Sequence, residues 1–331
     1  METKVYDLGT VKDKDLKFAV IVSKYKGKFV YCKHKERETW ETPGGHRELN
    51  EDINDTAARE LKEETGAVKF NIKPIGDYLC NYFEGKEDAN KSYGRLYYAE
   101  IEELGGLPDL EIGEIALFDD MPENLTYPQI QPILLDWAVK ELNTRELISI
   151  ISKIVEEQCK SKDNIFGYEG WACHIVSVVK YAKILAKRLG ANEELVEIAA
   201  LLHDYASVKD KNMYEQHHIY GAIEAERILK ELDYPKEKIE IIKDCILCHR
   251  GSVKKQQKTK EAVCVASADA MAHIGQVPSL LHLAYNNKKM EVKEGAEWVS
   301  GKIERSWNKL CPEAKEIMKK KYECAKVVLE G

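Results

Sequence analysis

The pattern of apolar and polar residues changes character once along the chain. Residues 17–23 and 29–34 are short runs rich in Val, Phe and Tyr, separated by Tyr25-Lys-Gly-Lys28, which predicts two strands joined by a turn. Residues 68–82 and 94–101 read as further strands. Residues 53–65 read as a helix, opened by a cap at Asp52 or Asn54 and closed by Gly66. Residues 127–142 read as a closing helix after the turn at Met121-Pro122. From Thr144 onward the pattern is almost wholly helical, with apolar stripes such as Ile175, Val178, Val179, Ala182, Ile184 and Leu185. The expectation is an α/β domain over residues 1–143 and an all-α domain over residues 144–331.

Length supports that division, since 331 residues exceed one ordinary core and suit two domains of roughly 150 each. A hydrophobic content of 44% with 32% charged residues is that of a folded chain. The net charge of −7 supplies no basic excess to neutralise a phosphate backbone, so nucleic acid is not an expected partner. A small anionic ligand stays compatible, because bound cations reverse the local charge of an acidic site. No run of about 18 apolar residues predicts a membrane span, and the first residues lack the apolar core of a signal peptide. The nine cysteines are scattered and odd in number, which suits free thiols in a reducing compartment. A cytoplasmic protein is expected; its oligomeric state is left open.

The predicted helix 53–65 carries the first candidate chemistry. At 100° per residue, Glu60 and Glu64 lie about 40° apart and Glu63 about 60° to the other side, so three carboxylates share one arc. Like charges so close repel. A hard divalent cation such as Mg²⁺ relieves the repulsion and also binds phosphates. A solvated acidic face is the plainer alternative, but the spacing decides against it. The stretch Gly45-His-Arg-Glu-Leu-Asn-Glu51 through Arg59-Glu60-Leu61-Lys-Glu63-Glu64-Thr-Gly66-Ala67 resembles the Nudix signature, G-x5-E-x7-R-E-U-x-E-E-x-G-U, with U aliphatic. Ala67 is the one soft match, and Trp40-Glu-Thr-Pro43-Gly44 resembles the family's approach to that loop.

The resemblance implies an α/β/α sandwich that cleaves nucleoside diphosphates linked to another moiety. By position it makes Glu60, Glu63 and Glu64 ligands of Mg or Mn, with Glu60 also a candidate base. Arg59 and Glu51 would orient the cluster through charge-assisted bonds. The metals would activate a water and neutralise charge on the pyrophosphate. Glu111 or Glu114 is a candidate further acid, against the reading of an exposed loop. Tyr78, Tyr82, Phe83 and Tyr93 are candidates for stacking on a base, though aromatic residues in strands more often belong to the core.

The second half holds seven of the nine histidines. His174 opens a helix, His203-Asp204 ends the apolar run Ala199-Ala-Leu-Leu202, and Asp269 sits in Ala266-Ser-Ala-Asp-Ala270. A lone histidine on an apolar face is usually a satisfied core residue. The ordered set H…HD…D is more specific, and it resembles the HD superfamily of metal-dependent phosphohydrolases. Imidazole and carboxylate together suit Mn, Fe, Co, Ni or Zn. By position His174, His203, Asp204 and Asp269 would hold one metal. His217 and His249, the latter ending a helix over 241–248, would hold a second, with Asp204 bridging; His218 is an alternative to His217. His273 and His282 read as ordinary surface or helix-packing residues.

One departure stands out. Many HD proteins follow the pair with Ile-Gly-Lys, whereas this chain has Tyr205-Ala206-Ser207 and places lysines at Lys209 and Lys211. The usual lysine contact to phosphate is therefore in doubt. Cys245-Ile-Leu-Cys248-His249 matches a haem-attachment pattern, but buried thiols on a helix explain it more simply. The sequence thus predicts a bifunctional phosphohydrolase acting on a small nucleotide or phosphate ester. A nucleotide sensor, in which the first fold regulates the second, is the alternative.

Overall fold

The computed structural model describes residues 2–81, 91–164, 166–250 and 257–330, and the chain divides into two compact units, Met1–Asn143 and Thr144–Gly331. The first contains strands β1 (Glu2–Tyr6), β2 (Leu16–Tyr25), β3 (Lys28–His34) and β4 (Gly44–His46), then helix α1 (Ile53–Thr65). Strands β5 (Ala67–Asn81), β6 (Lys91–Leu104) and β7 (Ile112–Phe118) follow, and helix α2 (Gln131–Cys159) begins in this unit. The sheet order is β1-β5-β6-β2-β3-β7, with β4 added to β2. Only β2 and β6 run parallel; the other pairs are antiparallel.

Strand alternation builds a core on each face of this sheet. Ala19 and Ile21 of β2 join Tyr97, Ala99 and Ile101 of β6 against Ile53, Ala57 and Leu61 of α1. Val22 and Leu96 point the other way and pack with Leu134, Leu135 and Ala138 of α2. A helix therefore covers each face, giving the expected α/β/α sandwich. The turn between β2 and β3 uses Lys26 and Gly27, both at positive φ, which suits a tight hairpin.

Several boundaries differ from expectation. Residues 112–118 form the edge strand β7 rather than a loop, paired antiparallel with β3 from Phe29 opposite Phe118 to His34 opposite Ile112. The short strand β1 on β5 had no counterpart in the sequence reading. Helix α2 starts at Gln131 and continues to Cys159, since neither Gly nor Pro interrupts residues 133–159. Tyr82 and Phe83 lie outside the described residues. Tyr78 is a core residue, 3% exposed, and packs on Gly94, where a Cβ would fall 2.4 Å from its ring. Tyr93 packs against the α1-side core. Neither is offered to a base.

The second unit is helical, as predicted. It comprises the end of α2, then α3 (Val176–Leu189), α4 (Glu193–Leu202), α5 (Tyr205–Lys209), α6 (His217–Glu231) and α7 (Lys236–His249). Helices α8 (Lys260–Gly275), α9 (Val277–His282), α10 (Val292–Lys309) and α11 (Pro312–Glu330) complete it. Helix α8 is buried nearly all round, from Ala262 to Ile274, as expected of a central helix. Its small side chains (Ala266, Ser267, Ala268, Ala270, Ala272) let neighbouring helices approach closely. No helix among the described residues is long and apolar enough to cross a membrane.

Candidate active sites

In the first unit, α1 presents the acids because its opposite face is committed to the core. Asp52 caps the helix by accepting from the Asn54 N–H, and Gly66 closes it at φ 71, a left-handed position that favours glycine. Arg59 organises the exposed side. Its Nε donates to Glu51 Oε1 at 2.8 Å and its Nη2 to Glu51 Oε2 at 3.0 Å. Its Nη1 reaches Glu60 Oε1 at 2.7 Å and Glu63 Oε2 at 3.1 Å. The Arg59 bonds hold the Glu51 carboxyl down at about 2.

Glu64 turns inward, accepting from the Gly44 N–H at 2.8 Å. Burial pushes its carboxyl up to about 8, and the charges of Glu60 and Glu41 add to the shift. Burial likewise raises Glu60, against the opposing pull of Arg59. Gly45 is required by close approach: a Cβ there would lie 2.3 Å from Glu60 Oε1. The three acids do not converge as tightly as the spacing suggested. Among the described residues, groups of three ligand atoms within 4.8 Å of one another all occur in the second unit. Burial beside like charges, which raises Glu64, is nonetheless what a bound cation offsets, so the donor set fits a hard metal.

The sequence reading missed two residues here. Glu41, buried near the start of the Trp40-Glu-Thr-Pro approach, has its carboxyl raised by burial and acts on Glu64. The buried Cys32 thiol lies 3.5 Å from Glu64 Oε2. The candidate acids Glu111 and Glu114 have other partners: Glu114 pairs with Lys33, and Glu111 stands 3.9 Å from His34.

The second unit gathers its residues from several elements. His174 lies in a π-helical turn, Gly170–Ile175, just before α3, a distortion common at functional sites. His203 and Asp204 form the break between α4 and α5; His217 starts α6, His249 ends α7, and Asp269 sits mid-way along α8. Asp204 Oδ2 lies 3.3 Å from His174 Nε2 and 3.4 Å from His203 Nε2. Its other oxygen, Oδ1, lies 3.5 Å from His217 Nε2 and 3.7 Å from His249 Nε2. One carboxylate thus faces two sets of imidazoles with different oxygens.

Backbone carbonyls orient the rings. The Nδ1 atoms of His203, His217 and His249 face the oxygens of Ala200, Tyr214 and Ile246 at 2.7, 2.7 and 2.6 Å. A proton on each Nδ1 leaves each Nε2 lone pair aimed at the cluster, as metal-ligating histidines require. Burial lowers His249 to about 4, which keeps that lone pair free. Burial alone would raise Asp204, but the imidazoles around it, His203 first, hold its carboxyl well below the usual range. This donor set fits one or two transition metals.

The two adjacent histidines of α6 are placed differently, and one further histidine lies closer to the cluster than expected. His217 enters the cluster, whereas His218 is buried with its Nδ1 unpartnered. His273 is no ordinary packing residue. Its Nε2 lies 3.6 Å from Asp269 Oδ1 and its ring stacks on His174 at 5.2 Å. Position i+4 from Asp269 on one helix was the available signal. His282 bonds to Asn286 on the surface. Lys209 is tied to Glu224 at 2.7 Å. Instead, cations of α10 line a cavity of about 800 Å³ above the cluster. Cys245 and Cys248 are buried in the helical core of the second unit.

Two family models match separate stretches of the chain. A family model for the NUDIX domain matches residues 13–131 and one for the HD domain matches residues 171–273. The chain is 35% identical over 128 residues to Bacillus subtilis YtkD, a protein named as a candidate 8-oxo-dGTP diphosphatase. That alignment covers 38% of this chain and 77% of YtkD. The chain belongs to the Nudix family. An HD domain follows in the same polypeptide, and both are metal-dependent hydrolase families. Over 99 residues the chain is 35% identical to ribonuclease Y of Petrotoga mobilis, covering 30% of this chain but 17% of that protein. A crystal structure of the Bacillus subtilis pyrophosphohydrolase BsRppH shares 26% identity, covering 42% of this chain and 90% of that one at a TM-score of 0.35.

Proposed function

We propose that the chain is a bifunctional nucleotide hydrolase, with a Nudix domain over residues 1–143 and an HD domain over 144–331. The Nudix centre cleaves the pyrophosphate bond of a nucleoside triphosphate or of a nucleoside diphosphate linked to another group. The HD centre hydrolyses a phosphate ester. The observation that carries this reading is Asp204, whose two oxygens face separate imidazole sets beside a cavity large enough for a nucleotide.

At the Nudix centre Glu60, Glu63 and Glu64 hold Mg or Mn, Arg59 and Glu51 position them, and Glu60 accepts a proton from the attacking water. At the HD centre His174, His203, Asp204 and Asp269 hold one transition metal, and His217 and His249 with Asp204 hold a second. Bound metals supply charge neutralisation at phosphate and lower the pKa of water. The intact acid set of α1 favours catalysis over a sensor role.

The test compares wild type, Glu64→Gln and Asp204→Asn across a panel of metals and nucleotides. Glu64→Gln should lose pyrophosphate-bond cleavage alone, and Asp204→Asn should lose only the second hydrolysis. If Asp204→Asn forms every product at the wild-type rate, the HD centre is not a hydrolase. The same variants decide whether the second centre consumes what the first releases.

A further inference from the structure

The cavity over the HD cluster has two unlike flanks. At the His217 end, Phe166 and Tyr214 pack with ring centroids 5.5 Å apart, and Tyr214 stacks on His217 at 6.0 Å. At the Asp269 end, α10 contributes Lys302, Arg305 and Lys309 to the lining. Lys309 is already committed, its Nζ 2.7 Å from Asp269 Oδ2. Half-buried Lys302 is different, and so is Arg305 at the exposed rim: neither has a carboxylate within ion-pair distance among the described residues. In a chain with more acids than bases, most buried or half-buried cations are paired, as Lys243 is with Glu226 and Lys238 with Glu194. Lys302 is half withdrawn from water, and Asp269 and Asp204 attract it only from beyond ion-pair distance. Withdrawing a cation from solvent without a partner is costly. A ligand anion arriving from the cavity removes that cost.

Resting on the hydrolase reading of the HD centre, we infer that this cavity takes a nucleotide carrying at least one phosphate besides the scissile one. The base lies against Phe166 and Tyr214, the scissile phosphoryl over Asp204, and the further phosphate on Lys302 and Arg305. Aromatic faces accept any base by stacking, and paired cations suit the oxygens of a terminal phosphate. In the reaction, water oxygen bonds to the scissile phosphorus, the ester bond from that phosphorus to the nucleoside oxygen breaks, and a proton from water ends on that oxygen, so the nucleoside leaves and the phosphates are released still joined. A nucleoside monophosphate released by the Nudix centre would leave both α10 cations unmatched. The inference therefore separates the two reactions rather than chaining them.

The test uses the full chain carrying Glu64→Gln, with ADP and AMP as probes. Calorimetric titration in chelator removes the metal on which the Nudix carboxylates depend to hold a phosphate, leaving the α10 cations to discriminate. ADP should bind at least about tenfold more tightly than AMP, the usual value of one charge-assisted contact. Adding Lys302→Gln and Arg305→Gln should abolish that preference, while Lys302→Arg should retain most of it. With metal restored, the same pair should raise KM for ADP by a comparable factor with little change in kcat. Equal binding of the two probes, or an ADP preference that survives the double substitution, overturns the inference. Tight ADP binding sensitive to the double substitution, but without metal-dependent release of adenosine, would sink the hydrolase reading and leave the site standing.

Discussion

The acids of the Nudix centre sit within one turn and a half of a single helix, whereas the HD centre draws side chains from a π-turn and four helices or their junctions. The first arrangement is local. Once α1 forms on its apolar stripe of Ile53, Ala57 and Leu61, the directions of Glu60, Glu63 and Glu64 follow from helix geometry. The second is tertiary. His174 and Asp269 meet only because α3 and α8 pack, and His217 meets His249 only because α6 packs on α7. A local site tolerates small movements elsewhere, and its weak points lie in the residues that touch the acids. A dispersed site depends on the packing of its whole unit, and its weak point is the residue shared by its halves.

The largest expected effects break one centre and spare the other. Removing a hydrogen-bonding partner of a metal ligand typically costs about 10–100-fold in activity. Replacing Asp204, which faces all four imidazoles, should cost more than about a hundredfold by the same reasoning. Phosphate release by Asp204→Asn should therefore fall below detection in a steady-state assay, with pyrophosphate-bond cleavage unchanged. A chelator should stop both reactions, and a parallel decline in both after Asp204→Asn would show that the centres are not independent.

Gly45→Ala probes the local centre more finely. Its Cβ would meet the Glu60 carboxylate at 2.3 Å, so Glu60 must move by about an ångström. Displacements of that size at a reacting group cost on the order of a hundredfold. The drop should appear in kcat for the Nudix reaction, with far-ultraviolet circular dichroism and the HD reaction as in wild type. An active Gly45→Ala enzyme would remove Glu60 from the role of base.

The unequal legibility of the two centres has the same origin. Residues 53–65 were readable to the residue because period, cap and stop agree at Asp52 and Gly66. The acids on α1 were readable because spacing along a helix is geometry. Glu41 escaped because it reaches Glu64 across the fold, from a bridge beside β3 that no periodicity marks. Strand β7 escaped because its edge position leaves Glu114 and Leu117 exposed and weakens the alternation. In the second unit the ordered His and Asp residues could be collected by type, but their mutual distances could not. His273 was set aside because nothing in its helix shows that His174 stacks on it. The α10 cations, more than 50 residues beyond His249, carried no signal at all.

Arg59→Lys should produce an intermediate effect. Arg59 grips Glu51 with two nitrogens while a third atom spans Glu60 and Glu63, a fork that an ammonium cannot reproduce. Nudix activity should fall about 10–100-fold, the usual cost of losing a positioning contact around a metal site. Raising the metal concentration should recover part of it, because misplaced ligands bind the cation less tightly. No response to metal would assign Arg59 to the substrate instead.

The smallest effect belongs to the adjacent histidines of α6, and it sharpens the distinction between a residue in the cluster and a residue beside it. His217 Nε2 lies 3.1 Å from His249 Nε2 and 3.5 Å from Asp204, so His217→Ala should remove one metal and most HD activity. His218 is 9% exposed, its Nδ1 meets no partner, and burial lowers its pKa. An unsatisfied buried polar atom costs about 1–3 kcal/mol, and replacing it with an apolar group of similar size recovers part of that. His218→Leu should therefore leave metal stoichiometry and HD turnover within twofold of wild type, and thermal unfolding of the second unit should occur at the same or a slightly higher temperature. Metal content read by inductively coupled plasma spectrometry separates the alternatives. Loss of an ion in His218→Leu but not in His217→Ala would reverse the assignment that the geometry supports.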